Sequence, residues 1–216
     1  QRDRNLYDSQ IEELKIIQQS GNHLLTLIDD VLDFSKIEAE KMTISPGNLD
    51  FPVFLEEIVA AIRLKATEKN LLFECEKQGK LPVVVRVDAK RLRQILLNLL
   101  SNAIKFTDRG QIKFKISAID SVELPARDVS SSNHTKIRFE ISDTGVGIED
   151  AEITKIFQPF EQVGDLDRQI SGTGLGLSIS QYISELMGSE IKVSSQLGKG
   201  STFFFFLFIS VVEAIS

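Results

Sequence analysis

What this chain can fold into is narrowed most by the places where its glycine clusters meet regular structure. Asp143-Thr-Gly-Val-Gly147 directly follows Ile137-Arg-Phe-Glu-Ile141, whose alternation of apolar and polar residues marks a half-buried strand. Gly172-Thr-Gly-Leu-Gly176 directly precedes an amphipathic helix expected over Leu175–Met187, with Ile179, Tyr182, Ile183 and Leu186 along one side. A second alternating strand is Ile112-Lys-Phe-Lys-Ile116. Upstream of both, Leu92, Ile95, Leu96, Leu99, Leu100, Ala103 and Ile104 form a wide apolar stripe on a helix that Asp88 can cap. Such a chain mixes strands with helices laid against a sheet.

The remaining elements fit the same plan. A helix around Phe51–Lys69 precedes a strand near Leu71–Glu76, and Leu81-Pro82 introduces a further apolar stretch. Between the alternating strands, Asp120–Lys136 is rich in serine and reads as a long exposed loop containing a solvated His134. Strands over Ile191–Ser195 and Thr202–Ile209 close the domain. The run Phe203-Phe-Phe-Phe-Leu-Phe-Ile209 is too short to cross a membrane and reads as a strand buried on both faces.

The first forty residues have a different character. Leu14, Ile17, Leu24, Ile28 and Val31, broadened by Leu25 and Leu32, trace a heptad-like seam on one long helix that wants a partner helix. Pro46 and Gly47 mark its boundary. The organisation expected is a helical segment over residues 1–45, a mixed domain over 46–210 and a short tail over 211–216.

A length of 216 residues allows one ordinary domain with an appendage. The net charge of -6 argues against a nucleic-acid surface, which needs a basic patch. It is no obstacle to a phosphate site built from backbone amides and one lysine. The single cysteine, Cys75, excludes an internal disulfide, fits a reducing compartment and reads as core filler. No signal peptide opens the sequence, and no run of about eighteen apolar residues could span a bilayer.

Asn98, Asn102 and Lys105 fall at i, i+4 and i+7, within about 60° of one another on the helix. One helix face therefore presents two amide oxygens and an ammonium beside the apolar stripe. Magnesium keeps several waters, so one asparagine plus nucleotide phosphates can complete its shell. Asp143, at a strand end, can accept a hydrogen bond from the amino group of adenine, which guanine lacks at that edge. Its glycines permit close approach of the turn. A glycine-rich loop at a helix N-terminus offers amides and a positive dipole end to phosphate. The loop lies too late in the chain for a dinucleotide fingerprint, which belongs in the first strand-to-helix turn of a βαβ unit.

Asn98-Leu-Leu-Ser-Asn102-Ala-Ile-Lys-Phe-Thr107, Asp143-Thr-Gly-Val-Gly147, Phe157-Gln-Pro-Phe160 and Gly172-Thr-Gly-Leu-Gly176 follow one another in an order that resembles the ATP-binding domain of sensor histidine kinases. The resemblance runs from about Ile11 to Ile209, and the wider superfamily takes in DNA gyrase, mismatch-repair ATPases and a large heat-shock chaperone. It implies an α+β fold, a two-layer sandwich with a mixed sheet of the Bergerat type, behind a long N-terminal helix that is the second of a dimerisation hairpin. It implies ATP and Mg2+ as ligands. Asn102 would be the metal ligand, with Asn98 supporting it and Lys105 on phosphate. Asp143, Gly145 and Gly147 would form the adenine pocket, with Thr202 joining through water. Gly172, Thr173, Gly174, Leu175 and Gly176 would meet the phosphates, and Glu161–Ser171 would be a lid hinged on Phe157 and Phe160.

In the gyrase and mismatch-repair branches the position four residues before the metal-binding asparagine is a glutamate that activates water. Here it is Asn98, an amide without basicity near neutral pH, which favours a non-water acceptor. The acceptor segment of such kinases, His-(Glu/Asp)-x-x-(Thr/Asn)-Pro, does not occur. His23, in Ser20-Gly-Asn-His-Leu-Leu25, lacks the acidic neighbour and proline and reads as a helix-surface residue. The resemblance thus places the phosphoacceptor helix before Gln1 and any receiver domain after the last residue. It implies a homodimer, a response regulator or receiver domain as partner, and a cytoplasmic location even if the parent protein is membrane-anchored. A stand-alone ATPase of the same superfamily and a nucleotide-gated interaction module are the alternative readings.

Overall fold

The structure, a computed structural model, describes residues 8–119, 134–162 and 173–212. Its backbone contacts separate two units, Gln1–Met42 and Thr43–Ser216, a division slightly ahead of the one expected at Pro46.

In the first unit, α1 spans Asp8–Glu38. The seam read from the sequence lies along it with Leu14, Ile17, Leu24, Ile28 and Val31 all exposed.

The second unit begins with β1 (Gly47–Asp50), α2 (Phe51–Glu68), β2 (Leu72–Gln78) and β3 (Val84–Val87). It continues through α3 (Ala89–Phe106), β4 (Gln111–Ile119), β5 (His134–Asp143), α4 (Gly176–Leu186), β6 (Lys192–Gln196) and β7 (Gly200–Val211). Among the described residues, two short 3-10 turns, Asp150–Glu152 and Lys155–Phe157, lie between β5 and α4. Asp50 and Asp88 cap α2 and α3, accepting from Val53 N and Arg91 N at 3.1 and 3.0 Å. Capping satisfies N–H groups that a helix start leaves without partners.

The strands form one mixed sheet in the order β1-β3-β7-β5-β4-β2, with β6 added to β7. Only β2 and β4 run parallel; every other pair is antiparallel. The twelve-residue β7 is the centre: β5 pairs with Thr202–Ser210 on one side, while β6 and then β3 share the other. Register fixes the core. Phe114, Ile141 and Phe203 face the helices in one row, and Ile116, Phe139 and Phe205 in the next. Phe139 stacks on Phe205 at 5.0 Å between ring centroids and meets Phe51 of α2 edge-on at 6.2 Å. With Phe54, Ile58, Leu92, Ile95 and Leu99, these side chains are essentially sealed from water. Burial of each contributes roughly 1.5–3 kcal/mol.

Two expectations are corrected here. The phenylalanine run is not buried on both faces: Phe205 is sealed at 0% but Phe208 is 51% exposed, with Phe204 and Phe206 half-buried. Those outward rings carry cations instead. Arg138 lies 4.7 Å from the Phe204 centroid, and Lys136 lies 4.6 Å from that of Phe206. With α2, α3 and α4 packed on the buried face, basic side chains cover the other with their stems and ammonium or guanidinium heads. The second correction concerns His134, which belongs to β5 rather than to the loop, although it is exposed as expected. Its Nε2 lies 3.0 Å from Ser210 Oγ, because the far end of β7 extends the pairing to His134 and Thr135. Residues 120–133 of the expected loop lie outside the described residues.

Candidate functional site

The site is assembled around the C-terminal half of α3. Its apolar stripe is buried, which turns Asn98, Asn102 and Lys105 to a half-buried flank. Asn98 Nδ2 donates to Ser180 Oγ at 2.8 Å, tying α3 to α4. A Cβ on Gly176 would come within 2.5 Å of Asn98 Oδ1, so any larger residue there would have to push that amide aside. Asn102 Nδ2 points back to Asn98 Oδ1 at 3.5 Å. This aims one amide and leaves the Asn102 oxygen as a potential donor to a hard cation. Lys105 Nζ sits 4.8 Å from the Phe106 ring centroid, and burial pushes its ammonium pKa below the usual lysine value.

The Asp143 turn abuts the end of the same helix. Val146 N donates to Phe106 O at 3.2 Å. Asp143 Oδ1 accepts from Gly145 N at 2.9 Å and from Ser201 N at 3.3 Å. One carboxylate oxygen is thereby anchored, and the other is the group an exocyclic amine would meet. Burial raises the Asp143 pKa, and the two backbone N–H groups partly oppose that. Gly147, at φ 72°, has the Gln196 carbonyl oxygen 2.0 Å from where a Cβ would stand. Its glycine is demanded by the close approach of the β6–β7 hairpin, a partner that the motif by itself does not reveal. The hairpin is held to the turn by Ser195, whose Oγ accepts from Ile148 N at 2.8 Å and lies 2.9 Å from Ser201 Oγ. Thr202 Oγ1 donates to Ser142 Oγ at 2.9 Å behind Asp143.

The third wall is the start of α4. Leu175 is buried at the N-cap and its own side chain does not cap the helix; a helix start is where backbone N–H groups can meet an anion. Thr173 Oγ1 accepts from Leu175 N at 3.0 Å. Phe160, at φ 67° and 63% exposed, donates its N–H to Gly174 O at 3.0 Å. This bond pins together the two sides of the segment expected to be a lid; Phe157 is half-buried in the preceding turn. Gly172 and residues 163–171 of that segment lie outside the described residues, as does the side chain of His23.

Sequence reasoning missed Ser180, Ser195, Ser201 and Lys69, because each acts on a partner distant in the chain. Lys69 Nζ donates to Ile104 O and Lys105 O at 2.8 and 3.0 Å. A separate concavity of about 470 Å³ lies at the other, N-terminal end of α3, against Ser45, Asn48, Lys90 and Arg91, and contains none of these groups. Among the described residues, no three His, Cys, Asp or Glu side chains converge as a metal site.

Sheet order, helices on one face and a site at the end of α3 define an ATPase-type fold. Residues 87–210 match the family of histidine kinase-, DNA gyrase B- and HSP90-like ATPases, and the chain belongs to that family. It is 42% identical over 205 residues to hybrid signal transduction histidine kinase B of Dictyostelium discoideum, matching 94% of this chain and 10% of that protein. The autoinducer 2 sensor kinase/phosphatase LuxQ of Vibrio vulnificus YJ016 is 36% identical over 203 residues, covering 93% of this chain and 23% of the relative. The crystal structure of full-length ShkA in complex with AMPPNP superposes with a TM-score of 0.75 at 31% identity, over 98% of this chain and 41% of that one. The chain thus spans about a tenth to a quarter of these curated relatives, and its likeness to them is to the catalytic part of sensor and hybrid histidine kinases.

Proposed function

We propose that this chain binds ATP with Mg2+ and directs the γ-phosphoryl group to a histidine on a dimerisation helix, as the catalytic unit of a two-component signalling kinase. The observation that carries the reading is the convergence on α3. Phe106 O receives the Asp143 turn, Asn98 receives α4, and Asn102 and Lys105 lie along the helix between them. Asp143 would take the adenine amino group, and Thr202 would join it through water. Gly145 and Gly147 would shape the pocket. Lys105 and backbone N–H groups around Thr173, Gly174, Leu175 and Gly176 would take phosphate.

Asn102 fits a magnesium ion that draws its other ligands from phosphate and water, and the ion would neutralise charge developing on the transferred group. Asn98 has no base to offer to water, and its amide is already engaged with Ser180. Positioning and charge neutralisation therefore carry the catalysis. The exposed seam of α1 fits the second helix of a dimerisation hairpin, and hence a homodimer that passes its phosphoryl group to a response regulator or receiver domain. Residues 1–45 would form that helix, residues 46–210 the catalytic domain and residues 211–216 a tail. Among the described residues no helix is long and apolar enough to cross a membrane; the reaction would take place on the cytoplasmic side, where ATP is.

Incubation with γ-labelled ATP and magnesium tests transfer. The chain alone should take no label, because it lacks an acceptor segment. A supplied helical-hairpin fragment with a His-Glu-x-x-Thr-Pro segment should slowly acquire acid-labile, base-stable label. Acid-labile label on the chain itself, abolished by His23→Ala, would make His23 the acceptor and overturn that part of the reading. Rapid release of inorganic phosphate with no labelled histidine would favour the stand-alone ATPase.

A further inference from the structure

α3 ends without a cap of its own. Its C-cap residue, Thr107, is extended at φ -111° and ψ 113°, so no left-handed turn returns N–H groups to the last carbonyls. Those carbonyls are met from elsewhere in the fold. Val146 N takes Phe106 O, and Lys69 Nζ takes both Ile104 O and Lys105 O, at 2.8 and 3.0 Å. Lys69 is itself firmly placed. It is the C-cap of α2, its N–H bonded to Ala66 O at 3.2 Å, and Asn70 at φ 56° then turns the chain toward β2. Asp108 Oδ1 stands 3.6 Å from the ammonium on its outer side. A cation is thus seated on the negative end of the helix that carries the candidate phosphate lysine.

We propose that Lys69 is a positioning residue of the nucleotide site, acting through Lys105. One of the two carbonyls it holds belongs to Lys105, so its grip sets the direction in which that side chain leaves the helix. The inference rests on the reading of Lys105 as a phosphate contact. Methionine has a stem of similar length but donates nothing, so Lys69→Met leaves two half-buried carbonyls without their donor and loosens the last turn. Arginine presents parallel N–H groups suited to two neighbouring carbonyl oxygens, so Lys69→Arg keeps the grip.

The test is calorimetric titration of the 216-residue chain with ATP and magnesium, at a temperature where circular dichroism shows every variant folded. Lys69→Met should weaken binding about ten-fold, and Lys69→Arg should return it to within about three-fold of the unsubstituted chain. Because the effect passes through Lys105, Lys69→Met should change affinity less than about two-fold in a Lys105→Met background. The same ten-fold loss in both backgrounds would mean that Lys69 merely supports the fold, overturning the proposal. Unchanged affinity in Lys69→Met, with a clear loss in Lys105→Met, would overturn it while leaving the site reading intact. Unchanged affinity in Lys105→Met alone would remove the phosphate role of that lysine, and this proposal with it.

Discussion

Asp143, as the proposed adenine acceptor, would trade stability for binding. Its carboxyl is buried, so the ionised form is disfavoured in the folded protein and the pKa lies above the ordinary value of 3.8. Across the window from 3.8 up to that raised value, the folded state holds more protons than the unfolded state, so this group makes stability fall as pH rises. Asp143→Asn keeps an oxygen for Gly145 N and Ser201 N but carries no charge. The nucleotide-free variant should therefore melt higher than the unsubstituted chain at pH 7, and the gap should close as pH falls through the acid range. A lower melting temperature at pH 7 would show that the anchored oxygen needs its charge. Asn102 makes a different kind of contribution. Asn102→Ala should weaken binding of ATP with magnesium while changing metal-free ADP binding little, and parallel titrations with and without chelator would separate the two. Equal losses would indicate damage to α3 rather than loss of a metal ligand.

At the scale of elements, the site is a set of junctions on α3. The Asp143 turn in turn is braced by the β6–β7 hairpin, and Gly147 against Gln196 O is as tight a joint as Gly200 against Asp143 O, each with 2.0 Å to where a Cβ would stand. Gly147→Ala places a Cβ against Gln196 O at a left-handed φ, which costs roughly 1–2 kcal/mol from backbone conformation alone. Chemical denaturation should show at least that loss, together with weakened ATP binding. Elements with their own pattern were legible in the sequence. The α3 stripe, the alternation in β4 and β5 and the Asp88 cap all announce themselves within a few residues. What was not legible depends on partners. β1 is Gly-Asn-Leu-Asp, with no alternation to see, and it exists because its four residues register against β3. A continuous apolar run such as β7 hides its period, so only the one-sided sheet reveals that Phe208 faces outward. That His134 is a strand residue follows from its pairing with Ser210 of β7. The serines and Lys69 are invisible for the same reason, since a hydroxyl or ammonium has no signature until its distant partner is placed.

Over the whole molecule, the proposed binding and the proposed dimerisation would be carried by separate units. Every residue placed in the candidate site lies within Thr43–Ser216, while the unpaired seam lies within Gln1–Met42. Sedimentation should therefore show a concentration-dependent dimer, and the double substitution Leu24→Glu and Ile28→Glu should abolish it without altering ATP affinity. Coupled loss of both would contradict that separation. The central claim is that the pocket recognises adenine through Asp143, and the most direct measurement is calorimetric titration with ATP and with GTP, each with magnesium. ATP should bind and GTP should bind at least about ten-fold more weakly. Asp143→Ala should lower ATP affinity about ten- to a hundred-fold, the range for loss of a hydrogen bond to a charged group. Equal affinity for the two nucleotides, or an unaffected Asp143→Ala variant, would contradict the account.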